Sequence, residues 1–109
     1  MYQITRRGPR LPFIAVAEIA HTESGGNFNC RVSELSLHGC YVDMLHTLPI
    51  GSALAIKIFA ESECFEAHAK VIYAHPNLGM GLGFEKVSLK SQTLLRQWLL
   101  KASEVPERL

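Results

Sequence analysis

Apolar and polar residues alternate in one short stretch after another of this chain, with turn signals between the stretches. A period of two belongs to strands that bury one face, so the pattern points to an all-β architecture. Phe13-Ile14-Ala15-Val16-Ala17-Glu18-Ile19-Ala20 follows Pro12 and reads as a first strand. Glu23-Ser24-Gly25-Gly26-Asn27 can supply the positive φ of a tight hairpin before Phe28, Cys30 and Val32 alternate with Asn29, Arg31 and Ser33. Ser36-Leu37-His38-Gly39 has the residues a type I turn prefers at its first and fourth positions, and the short strand Cys40-Tyr41-Val42 follows it. After Leu48-Pro49-Ile50-Gly51, the residues Leu54, Ile56 and Ile58 alternate with Ala53, Ala55 and Lys57. The longest run sets Phe65, Ala67, Ala69, Val71 and Tyr73 on one face, opposite Glu66, His68 and Lys70. His75-Pro76-Asn77-Leu78-Gly79 then turns into Met80, Leu82 and Phe84.

A single stretch has helical spacing. Leu94, Leu95, Trp98 and Leu99 make one apolar stripe, with Ser88 or Ser91 as the cap and Pro106 limiting the end. Six strands and a C-terminal helix predict a six-stranded antiparallel β-barrel with the helix over one opening, since closure removes the exposed edges an open sheet would leave.

A chain of 109 residues has room for one domain with its own core. Its composition, 48% apolar and 19% charged, is that of a globular protein. No apolar run approaches the ~20 residues of a membrane-spanning helix, and the basic start Met1 to Arg7 leads into no signal-type apolar segment. A soluble, cytoplasmic protein without membrane insertion is expected. Cys30, Cys40 and Cys64 lack Cys-x-x-Cys spacing and are odd in number, so reduced thiols packed as small apolar groups are expected rather than disulfides or a zinc site.

A net charge of +1 argues against a partner such as a long nucleic acid. The distribution of charge says more, because Arg6, Arg7 and Arg10 fall in the first ten residues with no acid before Glu18. A local cationic segment on a near-neutral body suits a small anionic ligand. Arginine stacks on a purine face and donates two parallel hydrogen bonds to guanine O6 and N7. Pro9 and Pro12 restrict the segment and lower the entropy lost on binding. Taken alone, these arginines read first as a solvated basic tail.

The second cluster is Glu34-Leu35-Ser36-Leu37-His38-Gly39. On a continuing strand, Glu34 and Ser36 would share a face. Gly39 would let the backbone turn and a ligand approach, with His38 at its edge. Taken alone, this cluster is an ordinary hairpin turn with an exposed acid.

The two clusters together resemble the PilZ family. That family carries Arg-x-x-x-Arg ahead of its first strand, then Asp/Asn-x-Ser-x-x-Gly at the end of the second. A Gly-x-Gly-apolar-x-Phe strand follows later, and a C-terminal helix ends in an aromatic-leucine pair. The corresponding elements here are Arg6 to Arg10, Glu34 to Gly39, Gly79-Met80-Gly81-Leu82-Gly83-Phe84 and Trp98-Leu99. The resemblance implies a PilZ-like barrel over residues 13–102, an arginine arm over 1–12 and a tail over 103–109. It further implies a cyclic di-GMP site in which Arg6 and Arg10 contact guanine and phosphate, Ser36 hydrogen-bonds the ligand and Gly39 leaves space for it. Arg7 falls at a variable position of the motif and is an auxiliary phosphate contact. Glu34 departs from the family's Asp or Asn. It can still accept from guanine N1–H and N2–H, but it reaches one methylene further and does not form the short side-chain turn of Asp.

No catalytic constellation is visible. None of the five histidines pairs with another ligand at metal spacing, Cys40 lacks a local His–acid arrangement, and Ser36 lacks a nucleophile elbow. The expected function is a cyclic di-GMP receptor or adaptor, not an enzyme and without a cofactor, that orders its arm on binding and signals to an unknown downstream protein. A PilZ-like scaffold working through protein contacts alone is the alternative, and Glu34 is the residue that favours it.

Overall fold

The computed structural model describes residues 10–104. Six strands precede one helix: β1 (Leu11–His21), β2 (Asn27–Leu35), β3 (Gly39–Asp43), β4 (Ala53–Ala60), β5 (Glu63–His75), β6 (Gly79–Val87) and α1 (Leu89–Ser103). They close into an antiparallel barrel in the order β1-β2-β3-β6-β5-β4, with β1 paired to both β2 and β4. Closure therefore leaves no strand of the six as an open edge.

The alternation read from the sequence becomes the inside and outside of this barrel. Ala17, Ile19, Val32, Val42, Ile56, Phe65, Val71 and Met80 are buried, while their neighbours Glu18, Arg31, Lys57, Glu66 and Lys70 face solvent. Fully burying a side chain the size of Ile56 or Phe65 contributes about 1.5–3 kcal/mol, so the interior face dominates the stability of the fold.

Ser88 caps α1, its hydroxyl accepting the Ser91 N–H at 3.2 Å. Ser91 is buried because its own hydroxyl accepts the Glu66 N–H at 3.1 Å, which pins the first turn of the helix to β5. Leu94, Leu95 and Trp98 then point into the barrel. Trp98 stacks on Phe13 with ring centroids 5.3 Å apart and stands 6.4 Å from Phe65. Lys101 reaches Glu61 at 3.0 Å on the surface. The helix covers one barrel opening, as its stripe implies.

Three local features depart from the sequence reading. The β4–β5 hairpin turns through Glu61 and Ser62, both at positive φ (52° and 66°), where Gly or Asn would have announced the turn. β2 ends at Leu35, so the alternation stops before Ser36. The third is a register shift in β5 between Val71 and Tyr73. Val71 pairs with Leu82 inside the barrel, but Tyr73 pairs with Gly81 on the outside. Tyr73 therefore leaves the buried face on which strict alternation places it, because the extra residue of a bulge inverts every position beyond it. The end set by Pro106 lies outside the described residues.

Candidate functional site

Across the outer face of four adjacent strands, one row runs Glu34 (β2), Tyr41 (β3), Gly81 (β6) and Tyr73 (β5), each paired in register with the next. A parallel row runs Arg31, Asp43, Gly79 and His75. Gly79 and Gly81 bring the rings down onto the barrel. A Cβ on Gly81 would collide with the Tyr73 ring, and one on Gly79 with the Val42 carbonyl of β3 and the Tyr41 ring. Both tyrosines lie along β6 where other strands carry side chains.

Arg10 ends the N-terminal segment above this row. Its Nη1 pairs with Glu34 Oε1 at 2.9 Å, its Nη2 donates to the Tyr73 hydroxyl, and its guanidinium carbon lies 5.6 Å from the Tyr73 ring centroid. Sequence motifs separated by 24 residues thus meet, and the structure adds Tyr73, which the sequence reading had assigned to the core. Beside it, the Tyr41 hydroxyl and His75 Nδ1 are 3.1 Å apart. Desolvation holds the Tyr41 phenol above its ordinary pKa, reinforced by Tyr73 and by the carboxylates of Asp43 and Glu34, so the hydroxyl keeps its proton. It donates to Nδ1 when the imidazole proton is on Nε2. Arg31 grips Asp43 at 2.7 Å and Ser33 donates to the same carboxylate at 3.2 Å, closing the far side of the row.

The turn that follows Glu34 is internally satisfied. Ser36 N–H donates to the Gly39 carbonyl at 2.9 Å, the Ser36 hydroxyl donates to that carbonyl at 3.2 Å, and His38 N–H donates to the hydroxyl at 3.3 Å. Ser36 is 6% exposed, whereas Glu34 is half-buried on the outer face, so the two do not share a face as a continuing strand would have required. Gly39 opens β3 without a positive φ; its constraint is closeness, since a Cβ there would strike the Leu82 carbonyl of β6. His38 is exposed and lines a cleft of about 240 Å³ with Phe84, Gln92 and Arg96, against the helix. Arg6 and Arg7 lie outside the described residues.

Tyr41, Tyr73 and His75 are the members of this surface that motif reading missed. A usable signal was present: Gly79, Gly81 and Gly83 alternate with buried Met80 and Leu82, which marks an outer strand face stripped of side chains and open to aromatic neighbours. Among the described residues, no group of three His, Cys, Asp or Glu could hold a metal ion, and no helix is long and apolar enough to cross a membrane.

An outer barrel face thus carries arginine, carboxylate and aromatic rings next to a Ser-x-x-Gly turn. The PilZ domain model matches residues 4–101, and the chain belongs to the PilZ family. No curated protein matches the chain in sequence. Among solved structures, the PilZ domain of CeSA from a cellulose-synthesizing bacterium is 17% identical with a TM-score of 0.70, covering 89% of this chain and 100% of its own. The PilZ domain of YcgR from Escherichia coli, solved with cyclic di-GMP, is 16% identical with a TM-score of 0.73, covering 90% and 91%. The inhibitor of motility from Bacillus subtilis is 19% identical with a TM-score of 0.78, covering 99% of this chain and 56% of its own. At such identities the likeness is one of fold.

Proposed function

We propose that this protein is a cytoplasmic receptor for cyclic di-GMP that binds the ligand between its N-terminal arginines and the outer face of β2, β3, β5 and β6. The observation that carries the proposal is Arg10, held by Glu34 and seated on Tyr73 beside the Ser36–Gly39 turn. An arginine so placed presents its remaining N–H groups to a guanine edge, and the Tyr73 ring offers a face for the base. The YcgR domain was solved with cyclic di-GMP, and so was the PlzA protein of Borreliella burgdorferi, which adds weight to that ligand class. Arg6 and Arg7 would complete the cationic arm over residues 1–12, with ordering of that arm the signal to a downstream protein. Ser36, Gly39 and His38 would form the rim of the site. Neither a catalytic step nor a cofactor is part of this reading.

Calorimetric titration with cyclic di-GMP tests the proposal, with GTP and cyclic di-AMP as controls. Guanine-selective binding is expected, and Arg10→Ala should weaken it by about 1–3 kcal/mol, or roughly ten- to a hundredfold. Absence of heat at tens of micromolar protein would instead favour a scaffold that works through protein contacts. Two observations give that second reading substance: the Ser36 hydroxyl already has its partners within the turn, and Glu34 occupies Arg10.

A further inference from the structure

Outward-facing strand positions normally carry polar side chains, yet three rings lie together here on the outside of the barrel. Tyr41 and Tyr73 have centroids 6.2 Å apart with planes 31° from parallel, and His75 stands 5.9 Å from Tyr41 and 5.3 Å from Tyr73. None of them fills the interior, which Val42, Val71, Met80 and Leu82 occupy from the same strands. Each tyrosine ring lies against a glycine of β6, Tyr73 against Gly81 and Tyr41 against Gly79, and both side chains remain partly exposed. Arg10 stands over Tyr73, whereas no cation stands over Tyr41 among the described residues.

We infer that Tyr41 extends the Tyr73 ring into a base-stacking shelf, long enough for the fused bicycle of a purine, and that this shelf sets the preference of the site for purine over pyrimidine nucleotides. The inference rests on the nucleotide-binding reading above and assigns a specificity role that neither sequence cluster contains. A purine laid across both rings keeps contact along its length, with its edge toward the Arg10 guanidinium; a single-ring pyrimidine covers only one tyrosine. Stacking depends on ring area and not on the phenol, so any aromatic residue at position 41 serves. His75 is a positioning residue that fixes the Tyr41 ring through the hydroxyl–Nδ1 hydrogen bond of 3.1 Å.

The test is titration of the full chain and its variants with cyclic di-GMP and cyclic di-UMP, alongside Arg10→Ala. The unmodified protein should bind the purine dinucleotide at least tenfold more tightly than the pyrimidine one. Tyr41→Ala should lose about tenfold or more for cyclic di-GMP, the usual worth of one base–aromatic stack, while Tyr41→Phe stays within about threefold. His75→Ala removes the same hydrogen bond as Tyr41→Phe, so it should weaken binding by no more than that variant does, within about threefold, and have no further effect in the Tyr41→Phe background. Should Tyr41→Ala fold poorly, Tyr41→Trp replaces it: indole emission from position 41 should be quenched at saturating ligand. Binding unaffected by Tyr41→Ala while Arg10→Ala weakens it, or unchanged Trp emission at saturation, would overturn the shelf and leave the receptor reading standing. No binding of cyclic di-GMP by the unmodified chain would overturn both.

Discussion

Arg10 is the residue on which the two sequence clusters converge. Its guanidinium carries five donors in a flat fork, and the structure engages it three ways at once: an ion pair with Glu34, a hydrogen bond to the Tyr73 hydroxyl and a ring contact. The ion pair is 42% and 45% exposed on its two sides, so its net worth is about 0–1 kcal/mol and a ligand can displace it at little cost. Glu34 is paired with Arg10 in this arrangement, and under the proposed function it need not also serve as an acceptor for guanine. Glu34→Gln should accordingly leave cyclic di-GMP affinity within about threefold of the unmodified protein or tighten it, because a neutral amide releases Arg10 more readily. A tenfold loss in the same titration would instead make the carboxylate a ligand contact.

At the scale of the element, β6 explains how a barrel surface becomes a site. Its inward residues Met80 and Leu82 are large, and its outward residues Gly79, Gly81 and Gly83 have no side chains, so neighbouring strands lay theirs across it. The bulge in β5 supplies Tyr73 to that surface. Gly39 plays a different part, since the backbone of β6 itself occupies the space a Cβ would need. The two kinds of glycine should respond differently to alanine. Gly39→Ala must push β3 away from the Leu82 carbonyl, and an overpacking cost of about 1–3 kcal/mol should appear as a lower urea midpoint. Gly81→Ala meets the Tyr73 ring first, a side chain that can swing aside, so affinity for the proposed ligand should fall more than stability. The reverse ranking would mean that the Tyr73 ring is locked by the fold and that β3 is free to move.

The whole molecule is a closed barrel stoppered by α1, with thiols among the groups it withholds from water. Burial pushes the Cys30 thiol up to about 11 from 9.0, with Asp43 adding to the effect, and raises buried Cys40 as well. In the unfolded chain these thiols lose their protons near pH 9, while the folded chain keeps them until higher pH. Between those values the folded state binds more protons, so stability is full below about pH 9 and falls as the pH rises toward 11. Urea midpoints measured at pH 8 and pH 10 should show that fall, and replacing both Cys30 and Cys40 with Ala should make it shallower. An equal fall in the double variant would assign the alkaline loss to the tyrosines, Tyr41 among them, whose phenol is also held up.

Period-two alternation, turn residues and one apolar stripe are local properties, which is why the strands, the helix with its Ser88 cap and the closed all-β class were legible in the sequence. Motif spacing likewise put Arg10 and Glu34 in one site, and the structure brings them together. The same spacing singles out Ser36 and Gly39, to which the structure adds a hydroxyl bonded within the hairpin and a close approach to Leu82. Of the aromatic surface, only the glycine alternation of β6 was legible, not the residues that lie across it. Tyr41 and His75 are 34 positions apart, and Tyr73 faces outward only because β5 gains a residue against β6. Strand register is decided by pairing between distant segments, and a one-residue bulge reverses inside and outside without leaving a mark in the local pattern. The sequence alone determined which segments become strands; tertiary pairing decided which of their aromatic residues reach the surface.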